Sequence, residues 1–398
     1  MPGRLDELEQ YAIDVILERR HGVRPTLLRN TLRMLSHLYL GIVQLRIYLY
    51  RTRILKERQL GCLVISIGNL TVGGTGKTPV VEKFARALQK GGRRVAILSR
   101  GYKSVDTRKK KSWLQKLLRK GGDTPPRVVS DGRRILLDSA SAGDEPYMLA
   151  SNLKGVAVVV DKDRVKGGLH AIKALRADTL LLDDGLQYLH LKHRLDIVLI
   201  DRQAPFGNEY LLPRGTLREP PKNLQRANYI FITKCNEEPN DDLISRIRKY
   251  NRTAEIIECA HKPLYLRHLY KDERLPLDYL QGLYIGSVCG IAAPESFENG
   301  LRHLGARIEL SRKFADHHRY TEAELQSFFQ RCVKRDVSAV VTTEKDAVRF
   351  PAIGPLPLPV YYLRVEIEIL RGDETWEQCV QRICAPRSQQ RPRQLAFL

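Results

Sequence analysis

The residues best equipped for chemistry in this 398-residue chain are Gly76, Lys77 and Thr78, which close the glycine-rich stretch Thr71-Val72-Gly73-Gly74-Thr75-Gly76-Lys77-Thr78. In a loop of this kind, backbone amides and the start of the following helix cradle phosphate oxygens, while the lysine reaches the β- and γ-phosphates. The threonine hydroxyl serves as a Mg²⁺ ligand, so Thr71 to Thr78 are the expected nucleotide-binding residues. The pattern G-x-x-x-x-G-K-[ST] begins with glycine at a position that is Thr71 here, and Gly73 and Gly74 keep the loop flexible. A P-loop protein also needs an acid at the end of another core strand to hold the metal. Asp183 and Asp184, directly after Thr179-Leu180-Leu181-Leu182, supply it.

These groups need a scaffold. Residues 62–68 form a β-rich apolar run before the loop, and Val80, Val81, Phe84, Ala85 and Leu88 follow it at helical spacing, which makes strand, loop and helix. Further apolar runs at 95–98, 156–160, 195–200 and 229–233 end in polar residues, the pattern of buried parallel strands whose C-terminal ends meet ligands. The expected fold is therefore α/β, a P-loop doubly wound sheet, with a second smaller α/β domain after it. Residues 262–270 and 358–369 read as strands of a two-stranded linker, and Thr321-Glu-Ala-Glu324 between them resembles a helix-capping box. The expected segmentation is an N-terminal amphipathic segment at 1–58, a P-loop nucleotide-binding domain at 59–260, a smaller domain at 261–385 and a tail at 386–398.

Charge narrows the partners. Lys and Arg number 67 against 45 Asp and Glu, a formal charge of +22, and 43% of the residues are hydrophobic. A disordered chain and a small disulfide-stapled one are both excluded. Seven scattered cysteines without a C-x-x-C pair argue against a disulfide framework or zinc knuckle and suit a reducing cytoplasm. Asp6, Glu7, Glu9, Asp14 and Glu18 stand where a signal peptide would be apolar, and the uncharged run 34–45 is too short for a span of about 20 residues. Residues 24–58 carry eight basic residues against one acid around Leu35, Leu38, Ile42 and Leu45; residues 103–120 repeat that balance around Trp113, Leu114, Leu117 and Leu118. Either stretch suits a helix lying in an anionic membrane interface. An ordinary amphipathic helix packed on its own domain is the other reading for the first, and a solvated loop for the second.

The motifs together resemble the tetraacyldisaccharide 4′-kinases. The resemblance rests on ordered blocks: Ser66 to Asn69 through Thr78-Pro79, Ser99 to Tyr102, Val129 to Gly132, Gly143 to Pro146, Asp183 to Gln187, Phe206 to Asn208, Leu217 to Pro220, Phe314 to His317 and Thr343 to Asp346. It implies an ATP- and Mg²⁺-dependent enzyme that phosphorylates the 4′-hydroxyl of an acylated glucosamine disaccharide 1-phosphate, giving lipid IVA in lipid A synthesis. It further implies Asp144 as catalytic base with His317 as its partner, Glu145 beside Thr78, Asp183 and Asp184 at the metal, and Arg100, Arg164, Gln187 and Arg218 around the acceptor. Lys103, Tyr188 and Glu209 depart from the family's usual residues near that acceptor. The expected setting is a peripheral monomer on the cytoplasmic face of the bacterial inner membrane, without nucleic acid. With Asp144 in the first domain and His317 in the second, the pair is expected to need domain closure. A P-loop GTPase or ATPase of metallochaperone type is the rival reading, suggested by Thr233-Lys-Cys-Asn236.

Overall fold

The computed structural model describes residues 11–101 and 125–385, so the basic stretch at 103–120 and the tail at 386–398 lie outside the described residues. The fold is α/β, and its described residues group into two compact units. The first draws on Met1–Lys77, Thr179–Ala260 and Ile369–Leu398; the second draws on Thr78–Asp178 and His261–Glu368. The chain passes between them inside the long strands Glu255–His268 and Val360–Arg371, the segments read from sequence as a linker.

The first unit is built on parallel strands. Leu63–Asn69 lies between Thr179–Asp183 and Leu195–Asp201, and Tyr229–Thr233 and the start of Glu255–His268 extend the sheet on the far side of Leu195–Asp201. Thr179–Asp183 and Tyr229–Thr233 are buried along their whole length, as parallel strands covered on both faces must be. All these strands point one way, so Asn69, Asp183, Asp201 and Thr233 reach the same sheet edge. Gly68 permits the loop after Asp183 to pack closely, because a Cβ there would sit 2.7 Å from that of Leu186.

Helix Val23–Arg51 belongs to this unit. Its inner side combines half-buried Leu28, Leu32, Leu40, Val43 and Ile47 with polar contacts: Ser36 Oγ donates to the Leu211 carbonyl at 2.8 Å, Tyr39 OH to the Arg218 carbonyl at 3.0 Å and Gln44 Nε2 to Asn223 Oδ1 at 3.3 Å. Val23, Leu27, Met34, Leu38, Ile42 and Leu45, spaced mainly three, four and seven apart, are exposed. The helix is thus docked through polar contacts and half-buried apolar side chains, while a second apolar stripe faces outward. No helix among the described residues is long and apolar enough to cross a membrane.

In the second unit, Val95–Ser99 pairs in parallel with Ala157–Val160, which pairs antiparallel with Arg127–Asp131. A further parallel set orders Arg307–Lys313, Tyr284–Cys289, Ala339–Thr343 and the start of Val360–Arg371. Helix Glu322–Lys334 closes over that set with Leu325, Phe328, Phe329 and Cys332 in a buried cluster with Val288, Val340 and Val360. The Thr321 capping box forms as expected: Glu324 N donates to Thr321 Oγ1, and Thr321 N donates back to Glu324 Oε2 at 2.8 Å.

Candidate active site

The phosphate loop is held from beneath by one asparagine. Asn69, fully buried at the end of its strand, donates from Nδ2 to Thr75 Oγ1 at 2.9 Å and accepts from Lys77 Nζ at 3.3 Å through Oδ1. Thr233 Oγ1 donates to the Thr75 carbonyl at 2.8 Å. Gly76 has φ 76°, a conformation that favours glycine where the loop turns into helix Lys77–Lys90. Thr71 needs no such freedom: it forms an antiparallel bridge to Leu217, with Val72 N donating to Thr216 O at 2.8 Å and Arg218 N to Leu70 O at 2.7 Å. The missing motif glycine is therefore replaced by a residue in extended pairing, and Gly73 and Gly74 stand exposed at the loop tip.

That bridge delivers Arg218. Its guanidinium grips Asp184 with two parallel hydrogen bonds of 2.8 Å, donates to the Asn69 carbonyl at 3.0 Å and also contacts Asn69 Oδ1. Lys77 Nζ lies 3.7 Å from Asp184 Oδ1, and Gln187 Nε2 donates to the Asn69 carbonyl at 3.1 Å. Of the expected residues, Lys77, Asp184, Gln187 and Arg218 thus share one cluster centred on Asn69, a residue to which the sequence motifs alone assign no role. Asp183, buried, ends the strand in register with Ile67, and Thr78 is buried in the first turn after Lys77. Asp183 and Asp184 offer only hard oxygen donors, the kind that suits Mg²⁺, whereas Thr78 and Glu145 belong to the second unit. Among the described residues no three His, Cys, Asp or Glu side chains gather closely enough to hold a metal unaided. An ion sharing one or two carboxylates with phosphate oxygens fits that arrangement.

The second unit brings Asp144 and His317 together. Asp144 opens helix Asp144–Asn152, and its Oδ2 lies 3.3 Å from His317 Nδ1. Both belong to one unit, so the expected domain closure is not needed to bring them into contact. His317 has φ 64°, an unusual conformation for a residue with a side chain, with its N–H on the Gly290 carbonyl at 3.3 Å. Lys345 Nζ, which can only donate, stands 3.4 Å from His317 Nε2. Nδ1 faces both the Asp144 carboxylate and Arg349 Nη2 at 3.4 Å, and an Nδ1–H is the form of the ring that donates to the carboxylate. The neighbouring His318 is engaged elsewhere, stacking on Phe314 and pairing with Glu324 Oε2 at 3.2 Å.

Two arginines that sequence reasoning misses complete this cluster. Arg349 Nε donates to Asp144 Oδ2 at 2.7 Å and Arg319 Nη2 to Oδ1 at 3.1 Å. Burial raises the proton affinity of Asp144, but the His317 hydrogen bond and the Arg349 and Arg319 charges outweigh it, holding the carboxyl below its ordinary value. The sequence does hold one signal for Arg349, because a lone cation inside the apolar run Ala347-Val348-Arg349-Phe350 needs a buried partner. Glu145 Oε1 lies 3.5 Å from Lys345 Nζ. Arg164 is buried beside the Lys162 carbonyl at 3.1 Å, whereas Arg100 is exposed. The Thr233–Asn236 stretch has structural contacts, since Lys234 Nζ pairs with Asp201 at 2.5 Å and Asn236 with Glu238 at 2.9 Å.

Comparison with known proteins places the chain in a family. The family model for tetraacyldisaccharide-1-P 4′-kinase matches residues 28–385. A tetraacyldisaccharide 4′-kinase of Anaeromyxobacter dehalogenans strain 2CP-C is 39% identical over 338 residues, 84% of this chain and 85% of that protein. One from Halothermothrix orenii is 35% identical over 356 residues, 86% and 88% of the two chains. The crystal structure of LpxK from Aquifex aeolicus in complex with ATP superposes with a TM-score of 0.69 at 29% identity, covering 90% of this chain and all of that one. The chain belongs to the tetraacyldisaccharide-1-P 4′-kinase family.

Proposed function

We propose that this protein transfers the γ-phosphoryl group of ATP to the 4′-hydroxyl of a tetraacyldisaccharide 1-phosphate, an acylated glucosamine disaccharide, yielding lipid IVA and ADP. The observation that carries the reading is one chain combining a lysine-bearing phosphate loop beside an acid with a buried carboxylate–imidazole pair. Phosphoryl transfer asks a protein for positioning, charge neutralisation and a proton acceptor. The amides of residues 71–76 and Lys77 hold the phosphates. Mg²⁺, when bound by Thr78, Asp183, Asp184 and Glu145, neutralises phosphate charge. Asp144, ionised at neutral pH, takes the proton of the attacking hydroxyl as its oxygen bonds to phosphorus and the bond to ADP breaks. His317 Nδ1–H orients that carboxylate. Arg100, Arg164, Gln187 and Arg218 address the sugar phosphate, with Arg218 doing so from its seat on Asp184.

The outward apolar stripe of helix Val23–Arg51, flanked by Arg24, Arg29, Arg33 and Arg46, is the surface on which the protein rests as a peripheral monomer on the anionic cytoplasmic face of the inner membrane. Label transfer from γ-labelled ATP to the disaccharide acceptor in detergent tests the activity. Folded protein that labels no glycolipid would refute it, and equal turnover of ATP and GTP without acceptor would favour the metallochaperone-type reading.

A further inference from the structure

Arg349 is the most deeply buried cation near Asp144, its side chain inaccessible to solvent. Its contacts converge on the proposed base and its support. Nε donates to Asp144 Oδ2 at 2.7 Å, Nη2 lies 3.4 Å from His317 Nδ1, and Nη1 donates to the Gly290 carbonyl at 2.9 Å and Asp346 Oδ1 at 3.1 Å. Asp346, equally buried, is itself fixed by the Tyr320 hydroxyl at 2.8 Å and the Gly290 amide at 3.0 Å. The Gly290 carbonyl also accepts the His317 N–H. One glycine therefore anchors the guanidinium and the left-handed histidine backbone together.

We infer that Arg349 is the positioning residue of the Asp144–His317 pair, clamping Oδ2 against the imidazole so that Oδ1 is left as the oxygen that accepts the substrate proton. The asymmetry of the two oxygens supports this. Oδ2 faces the fully buried Arg349 and the half-buried His317, whereas Oδ1 is met by Arg319, which is 40% exposed and can swing aside for a hydroxyl. A planar fork holds a carboxylate and a ring in fixed relation, which a point charge on a flexible stem does not. A cation serving stability alone is a poor explanation, because replacing a buried ion pair by apolar residues is often neutral or stabilising.

The inference rests on Asp144 acting as base, and a double-mutant cycle separates the two. Full-length Arg349→Lys, Asp144→Ala and the double variant are assayed by label transfer, with thermal unfolding as a check of folding. Arg349→Lys keeps the charge, so Asp144 and Asp346 are not left uncompensated, and it carries the test if Arg349→Met does not fold. The expected result is a kcat loss of about 10- to 100-fold for Arg349→Lys, the scale of misplacing a catalytic group by about 1 Å, with KM for ATP unchanged. In the Asp144→Ala background the same substitution causes no further loss. Wild-type kcat in Arg349→Lys, or an equal loss in both backgrounds, overturns the positioning role. Wild-type turnover in Asp144→Ala removes the base reading and the inference with it.

Discussion

The Asn69 cluster and the Asp144 cluster solve the same problem, holding charged groups in fixed geometry, by opposite means. Around Asn69 the loop itself is one continuous stretch, residues 69 to 78, which the Leu217 backbone bridge and side chains of Asp184, Gln187, Arg218 and Thr233 then hold in place. Around Asp144 the parts are scattered over residues 144, 290, 317, 346 and 349, and side chains tied to the Gly290 backbone hold them. A phosphate site made of backbone amides needs small residues in a set order, whereas a proton-accepting site needs a buried carboxylate balanced by cations from wherever the fold can deliver them. The first leaves a motif. The second leaves scattered charges whose common purpose shows only in three dimensions.

The contrast predicts different failures. Lys77→Ala should lower kcat/KM by about 10³-fold through both nucleotide affinity and turnover, while Asp144→Ala and His317→Ala should each lower kcat by about 10²-fold or more with KM for ATP unchanged. Steady-state kinetics with ATP varied would erase the distinction if the two classes of variant behaved alike. Asn69→Ala removes the partner of both Thr75 and Lys77, so a stability loss of roughly 1–3 kcal/mol in urea and a weaker grip on ATP are expected together. Unchanged ATP binding by that variant would move the weight of the loop elsewhere.

Smaller effects lie away from both clusters. Replacing Leu38, Ile42 and Leu45 by Asp should weaken binding to anionic vesicles at least about tenfold while leaving activity in detergent intact. Equal co-sedimentation of wild type and variant would discard the apolar stripe as a membrane surface. The capping box is the mildest probe. The Thr321 amide and hydroxyl lower Glu324 from 4.5 to about 2, so it binds protons less readily in the folded state than in the unfolded. Its contribution to stability is then complete above about pH 4.5 and disappears as pH falls towards 2. Thr321→Ala should cost about 1 kcal/mol at neutral pH, roughly 2 °C in Tm, and progressively less in acid.

The strand, loop and helix around Lys77 are legible in sequence because period-2 and period-3.6 patterns are local and glycine spacing is rigid. The capping box is legible for the same reason. Choosing His317 over His318 from sequence depends on a family pattern; in the fold, the ring that meets Asp144 and the ring that pairs with a helix-capping glutamate differ by one residue and a left-handed φ. Arg349 escapes because the energetic need for it arises from the burial of Asp144, 205 residues away. Sequence pattern groups residues 78–178 with the phosphate-loop strand, yet their contacts join them to 261–368 in one unit, a preference set by packing that no window of sequence displays.

Tyr39 has one more implication. Its hydroxyl holds the carbonyl of Arg218, the residue whose guanidinium seats Asp184. The helix with the outward apolar stripe is therefore also a brace for the nucleotide site, and a chain trimmed to remove an awkwardly greasy N-terminus would gain solubility while loosening the acid that works beside Lys77.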